Sequence, residues 1–288
     1  MDDRPAHIVD QLIGERAPGL MRDPLGGPLL RRVLFPLLGY REAKAAIDRV
    51  QGLDGRAIMD FAAAVVGMRI GVRGVALLPA RGRVVIASNH PTGLADGVVL
   101  WRALSPVRRD LRMLANADAI RIAPTLAEVF VPVPWRAAQR SAADRRRVVA
   151  EVGRALRGEG ALVFFPSGRL AYCTSGGLAE RPWQPTVVAV ARKFAAPILP
   201  VHIRARNSRL FYLLSRLSDE MRDITLFHEL LNKRSVIFEL TLGRLIDPHG
   251  LPDDPGPAAA LLQRHVEHDL PRATASEPEL VARCPGER

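Results

Sequence analysis

Residues 83–97 read RVVIASNHPTGLADG. The opening run, Arg83 to Ser88, is apolar and rich in β-branched residues, the texture of a strand covered on both faces. It stops at Ser88. Asn89 and His90 then enter a turn that Pro91 and Gly93 favour, and Asp96 falls at the start of the next helical stretch. A buried strand that passes through a polar turn into a helix is the repeating unit of an α/β sheet. Ligands of such sheets collect at the carboxyl ends of strands, so this turn is where chemistry is expected.

The same texture extends outward. Further strands are expected at 129–133, 161–165, 198–203 and 235–242, with helices at 95–104, 142–156, 185–195 and 208–217. This alternation predicts an α/β fold: a mixed, largely parallel central sheet flanked by helices, preceded by an N-terminal helical segment. Residues 1–27 read as an irregular or short-helical lead-in, and 41–71 as helix with apolar residues at helical spacing. We therefore divide the chain into a helical lead-in (1–71), an α/β domain (72–246) and a C-terminal extension (247–288). The extension carries a proline-rich turn, one helix near 257–269 and a loose final stretch. Residues 28–40, PLLRRVLFPLLGY, set an apolar side beside Arg31 and Arg32. That pattern suits packing onto the domain or docking at a bilayer surface.

Composition narrows the class. The chain has 288 residues, 48% of them hydrophobic, enough for a substantial core. Its net charge is +11, carried almost wholly by arginine, since Lys44, Lys193 and Lys233 are the only lysines. Such a chain is drawn to polyanions, nucleic acid and anionic headgroups among them. Aromatic residues are only 5%, and no nucleic-acid motif is present, so no nucleic-acid partner is expected. Cys173 and Cys284 lack ligand spacing, and no His/Cys/Asp/Glu cluster suggests a metal; no metal or cofactor is expected. No apolar stretch of about 18 residues is free of charge, and no signal peptide is visible. The expected location is cytoplasmic, peripheral at the inner face of the membrane.

A second block, ALVFFPSGRL at 161–170, repeats the strand-to-turn pattern. Pro166, Ser167, Gly168 and Arg169 form the turn. Glycine there lets backbone N–H groups approach an anion, and the arginine is able to grip a phosphate; a plain strand-to-loop turn has the same spelling. At the first block, imidazole takes a proton near neutral pH, and a carboxylate on its other nitrogen fixes the tautomer. His90 and Asp96 fit those two parts, although a turn histidine capping backbone groups is the structural alternative. No Gly-x-Ser-x-Gly elbow accompanies them, which favours direct attack by a substrate hydroxyl over an acyl-enzyme.

Together the two blocks resemble the glycerolipid acyltransferase family, which carries Asn-His followed by Asp, then a Phe-Pro-Glu-Gly block with an arginine. The closer resemblance is to its hemolysin-like bacterial branch of lysophospholipid acyltransferases, whose first block is Asn-His-Pro-x-Gly-x-x-Asp-Gly; residues 89–97 read NHPTGLADG. A late block of that branch is echoed at 206–234, so the resemblance runs from about residue 35 to 246. Five residues separate His90 from Asp96, as in the branch, against four in the main family. The family's glutamate is Ser167 here, and Arg169 directly follows Gly168.

The resemblance implies O-acyltransfer from acyl-CoA or acyl carrier protein to a lysophospholipid, glycerol phosphate or related lyso-lipid. His90 would be the general base and Asp96 its orienting partner. Substrate contacts would fall on Asn89, Gly93, Arg136, Pro166, Ser167, Gly168, Arg169, Arg206 and Asn207. The implied partners are a lipid substrate, an anionic membrane surface and an acyl carrier protein. Two other readings are kept: a non-catalytic lipid carrier on the same fold, and a basic module that binds anionic surfaces.

Overall fold

The computed structural model describes residues 6–22, 26–134, 141–174, 177–272 and 279–280. Five helices come first: α1 (Ile8–Arg16), α2 (Pro18–Arg22), α3 (Gly26–Leu37), α4 (Tyr40–Val50) and α5 (Gly55–Val66). The sheet then begins with β1 (Arg69–Arg73) and β2 (Val84–Ser88), followed by α6 (Leu94–Leu104), β3 (Arg112–Asn116), α7 (Asp118–Ile122) and β4 (Phe130–Val133). Next come α8 (Ala142–Arg157), β5 (Ala161–Phe164), a hairpin of β6 (Tyr172–Thr174) and β7 (Gly177–Ala179), α9 (Thr186–Lys193) and β8 (Ile198–Arg204). The chain continues through α10 (Arg209–Leu217), α11 (Asp219–Asp223), α12 (Leu226–Leu231), β9 (Ile237–Leu242), α13 (Pro255–Arg264) and the short β10 (Glu279–Leu280).

The main sheet has the order β10-β1-β9-β8-β2-β5-β3-β4. Strands β8, β2, β5, β3 and β4 run parallel, β9 is antiparallel to β8, and β1 pairs parallel with β9. The fold is thus the mixed, largely parallel sheet that the alternating pattern predicts. β2 lies at its centre, and all five of its residues are buried. Its side chains alternate between two cores. Val84 and Ile86 face a cluster with Trp101 and Leu104 of α6 and Met59 of α5, while Val85 and Ala87 face one with Leu156 of α8, Val188 of α9 and Leu262 of α13. Each fully buried aliphatic side chain contributes about 1.5–3 kcal/mol, which makes the central strand the firmest part of the frame.

The structure corrects the reading of 41–71 as one helix. Asp54 accepts a hydrogen bond from Ala57 N–H at 2.7 Å and caps a new helix, α5, after a break at 51–54. Gly67, at φ 57°, ends α5 in a left-handed turn, which leaves Arg69 free to begin a strand. β3 is also new: Arg-Met-Leu-Ala-Asn lacks the β-branched run that marks the other strands, and only its ladder to β4 and β5 makes it extended. Helix α13 is no loose appendage, because Ala258, Ala259 and Leu262 lie in the second core. A third cluster joins Val9, Ile13, Leu34, Leu38 and Ile47 of the N-terminal helices to Ile224. Among the described residues, no helix is long and apolar enough to cross a membrane.

Candidate active site

The strand order brings the sequence blocks together. β8, β2 and β5 are parallel neighbours, so Asn207, His90 and Ser167, which follow them, all leave the same edge of the sheet. The Asn89 amide locks that edge. Its Nδ2 donates to Ile203 C=O at 2.9 Å, and Ile203 N–H donates to its Oδ1 at 2.6 Å. Asn89 thereby extends the β2–β8 ladder by one step, which makes it a strand clamp.

His90 follows immediately. Its ring stacks on Phe165, with centroids 4.2 Å apart, and its side chain is 19% exposed, enough for a substrate to reach. Nδ1 lies 2.9 Å from Asp96 Oδ2, and Asp96 is fully buried. The two atoms are close but out of hydrogen-bond alignment, so among the described residues Nδ1 has no aligned acceptor. Such bonds commonly tighten only when substrate is bound.

Asp96 is fixed independently of His90. It accepts Thr92 N–H at 2.8 Å, the Thr92 hydroxyl at 2.5 Å and Gly93 N–H at 2.8 Å. It sits at the third position of α6, where its carboxylate satisfies the N–H groups of the two residues leading into the helix and faces the positive end of the helix dipole. Gly93 permits the five-residue spacing. Its φ is 87°, and a Cβ there would lie 2.5 Å from Leu170 Cδ2. It shapes the turn and packs the first block against the second.

The second block forms a tight turn closed by Gly168 N–H on Phe165 C=O at 2.9 Å. Pro166 C=O accepts Gln184 N–H at 2.9 Å. Ser167 is buried and donates its hydroxyl to Arg169 C=O at 2.8 Å, so it supports the turn from inside. Gly168 and Arg169 are exposed at its tip, and Gly168 has φ 63°. After β8, Arg206 is exposed. Asn207 is buried, and among the described residues neither polar atom of its amide has a hydrogen-bond partner. A buried, unpaired amide beside this edge is the side chain best suited to meet a polar ligand group. Arg136 lies outside the described residues.

Two groups absent from the sequence reading belong to this edge. Glu180 accepts the main-chain N–H of His90 and the indole N–H of Trp183, the latter at 2.8 Å. Burial pushes its carboxyl up to about 7, against the pull of those two donors and of His90. Glu229 and Lys233 form a buried ion pair at 2.6 Å, and Glu229 also accepts from Ser208 N–H at 2.9 Å and its hydroxyl at 2.5 Å. Burial works against charge on Glu229, but the hydrogen bonds from Lys233 and Ser208 outweigh it and hold its pKa below the ordinary carboxylate value. Burial pushes the Lys233 pKa down, against the pull of Glu229 and, last, of the Asp96 charge. His202, on β8, is kept neutral by burial, with its pKa pushed down to about 4. A cleft of about 520 Å³ lined by Arg56, Asp60, Arg102 and Arg109 opens at the far end of α6 and does not include the dyad.

Residues 69–204 match the family model described as Acyltransferase. The lyso-glycine lipid O-acyltransferase of Phocaeicola vulgatus is 26% identical over 185 residues, covering 62% of this chain and 64% of that protein. The protein of the same description from Bacteroides thetaiotaomicron is 27% identical over 185 residues, covering 62% and 66%. This chain therefore spans a little under two thirds of the length of these relatives. The crystal structure of the 1-acyl-sn-glycerophosphate (LPA) acyltransferase, PlsC, from Thermotoga maritima aligns at a TM-score of 0.48 with 14% identity, covering 93% of this chain and 99% of that one. Through residues 69–204, which hold both sequence blocks, this chain is similar to the acyltransferase family.

Proposed function

We propose that this protein transfers a fatty acyl group from a thioester donor, acyl-CoA or acyl carrier protein, to the hydroxyl of a lyso-lipid, with His90 as general base and Asp96 as its partner. The observation that carries this reading is the accessible His90 ring held 2.9 Å from a fully buried carboxylate at the carboxyl edge of the central strand. Asp96 engages the Nδ1 side, which leaves Nε2 to take the proton of the acceptor hydroxyl. The alkoxide attacks the thioester carbonyl, and the tetrahedral oxyanion collapses with loss of the thiolate. His90 then returns its proton to the departing sulfur. Arg169, exposed at the tip of the second turn, is suited to stabilise the oxyanion or the acceptor's anionic group.

The acceptor class follows from two supports. The curated relatives are named for a lyso-glycine lipid, which favours a lyso-lipid with an amino-acid or phosphate headgroup. The unpaired Asn207 amide and the exposed Arg206 and Arg169 offer hydrogen bonds and charge to such a headgroup. The lipid is met at an anionic membrane surface, where α3 exposes Val33 and Leu37 next to Arg32.

The test is acyl transfer by purified protein, with labelled acyl-CoA and acyl carrier protein offered to lysophospholipids, glycerol phosphate and lyso-amino-acid lipids. His90→Ala is expected to lower the rate about a hundredfold to ten-thousandfold with an unchanged fold. Full activity in a folded His90→Ala variant would remove the base assignment. Tight lipid binding without transfer from either donor would favour a non-catalytic carrier.

A further inference from the structure

The main chain of His90 is gripped on both sides by residues that flank one hairpin. Ala171 donates its N–H to His90 C=O at 3.0 Å, and the Glu180 carboxylate accepts His90 N–H. Between them lies the β6–β7 hairpin. Past Ser88 the ladder from β2 to β5 and β8 has ended, so the His90 N–H needs an acceptor from elsewhere. A carboxylate is a stronger acceptor for that group than a neutral carbonyl. Glu180 is itself anchored. Its second oxygen holds the indole of Trp183, which is buried and donates its own main-chain N–H to Gln263 of α13 at 3.0 Å.

We propose that Glu180 is a positioning residue for His90, fixing the peptide that leads into the base and so the direction from which the ring meets the acceptor hydroxyl. The proposal rests on the reading of His90 as general base. Asp96 and Phe165 constrain the ring; Glu180 constrains the backbone that carries it. The charged groups acting on Glu180 are His90, which favours its ionised form, and Glu267 beyond α13, which opposes it. Its position near neutrality gives the grip a pH dependence. The ionised carboxylate holds the His90 N–H most strongly, so the grip tightens as pH rises through about 7.

The experiment uses the full chain with Glu180→Ala and Glu180→Gln. Two readouts are taken: kcat and KM across about pH 5.5–8.5, and the nitrogen resonances of the His90 ring in ¹⁵N-histidine-labelled protein. Glu180→Ala is expected to lower kcat about a hundredfold with KM changed by no more than about twofold, the mark of lost orientation. Glu180→Gln keeps an acceptor of the same shape, so it should lose less than about tenfold and flatten the pH dependence near neutrality. Both variants should shift the His90 ring resonances. Wild-type kcat in a folded Glu180→Ala protein overturns the proposal, as does a raised KM at unchanged kcat, which would make Glu180 a substrate contact. If Glu180→Ala does not fold, a wild-type pH profile in Glu180→Gln overturns it. The resonances separate the two readings. A His90→Ala protein with full activity defeats the base assignment alone, whereas unchanged His90 signals in Glu180→Gln defeat the positioning role whatever His90 does.

Discussion

Asp96 accepts three hydrogen bonds from Thr92 and Gly93 and also lies against His90, so its removal acts on stability and activity together. Asp96→Asn is expected to cost about 1 kcal/mol of stability in urea unfolding through the weakened cap, and to lower acyl transfer about a hundredfold or more through the misoriented base. Gly93→Ala should instead act through the backbone. At φ 87°, with Leu170 only 2.5 Å from the new methyl, it should destabilise the protein by about 1–3 kcal/mol, read from the same unfolding curve. Glu180 predicts a pH effect on stability. Its pKa is raised from 4.5 to about 7 in the folded state, so the native protein binds the extra proton. The stability this contributes is complete below about pH 4.5 and is lost as pH rises through about 7. Unfolding at mildly acidic and mildly alkaline pH should show Glu180→Gln gaining relative to wild type at the alkaline end; a constant difference between them would count against the raised pKa.

Among elements, α12 and the residues after it matter beyond their short length. Lys233 and Glu229 are each 1% exposed and share a 2.6 Å contact. Removing one partner strands a buried charge, so Lys233→Met is expected to cost about 3–5 kcal/mol in chemical denaturation. The double variant Lys233→Met with Glu229→Gln should recover most of that loss. An additive double variant would show that the pair is not coupled. The sequence blocks around His90 and Ser167 fall on strand ends as their texture implies, because an apolar run followed by proline and glycine has few other solutions. β1 and β3 were not legible. Each depends on a neighbouring strand for its extended form, and neither has the apolar density of β2 or β5.

For the whole molecule, surface and charge make the prediction. α3 buries Leu34 while exposing Val33 and Leu37, and α10, which starts just after Asn207, exposes Leu213 and Leu217. With a net charge of +11, these faces are expected to bind anionic vesicles more than neutral ones, and less strongly at high salt. Co-sedimentation with phosphatidylglycerol vesicles should weaken on replacing Val33 and Leu37 by aspartate. Equal binding to neutral vesicles at any salt would leave the surface charge without a role.

The sequence alone determined the α/β class, the central strands and the two turns that bear His90, Asp96 and the Ser167–Arg169 segment. These features rest on local causes: apolar runs, turn formers and helix starts lie within a few residues of one another. It could not determine that Asn89 fastens β8 or that Glu180 reaches the His90 main chain. Those contacts join residues separated by 114 and 90 positions along the chain. Nothing in their local spelling marks them. Only the tertiary structure decided them, because a buried N–H or carboxylate is satisfied by whatever partner the packed sheet and helices bring within hydrogen-bond distance.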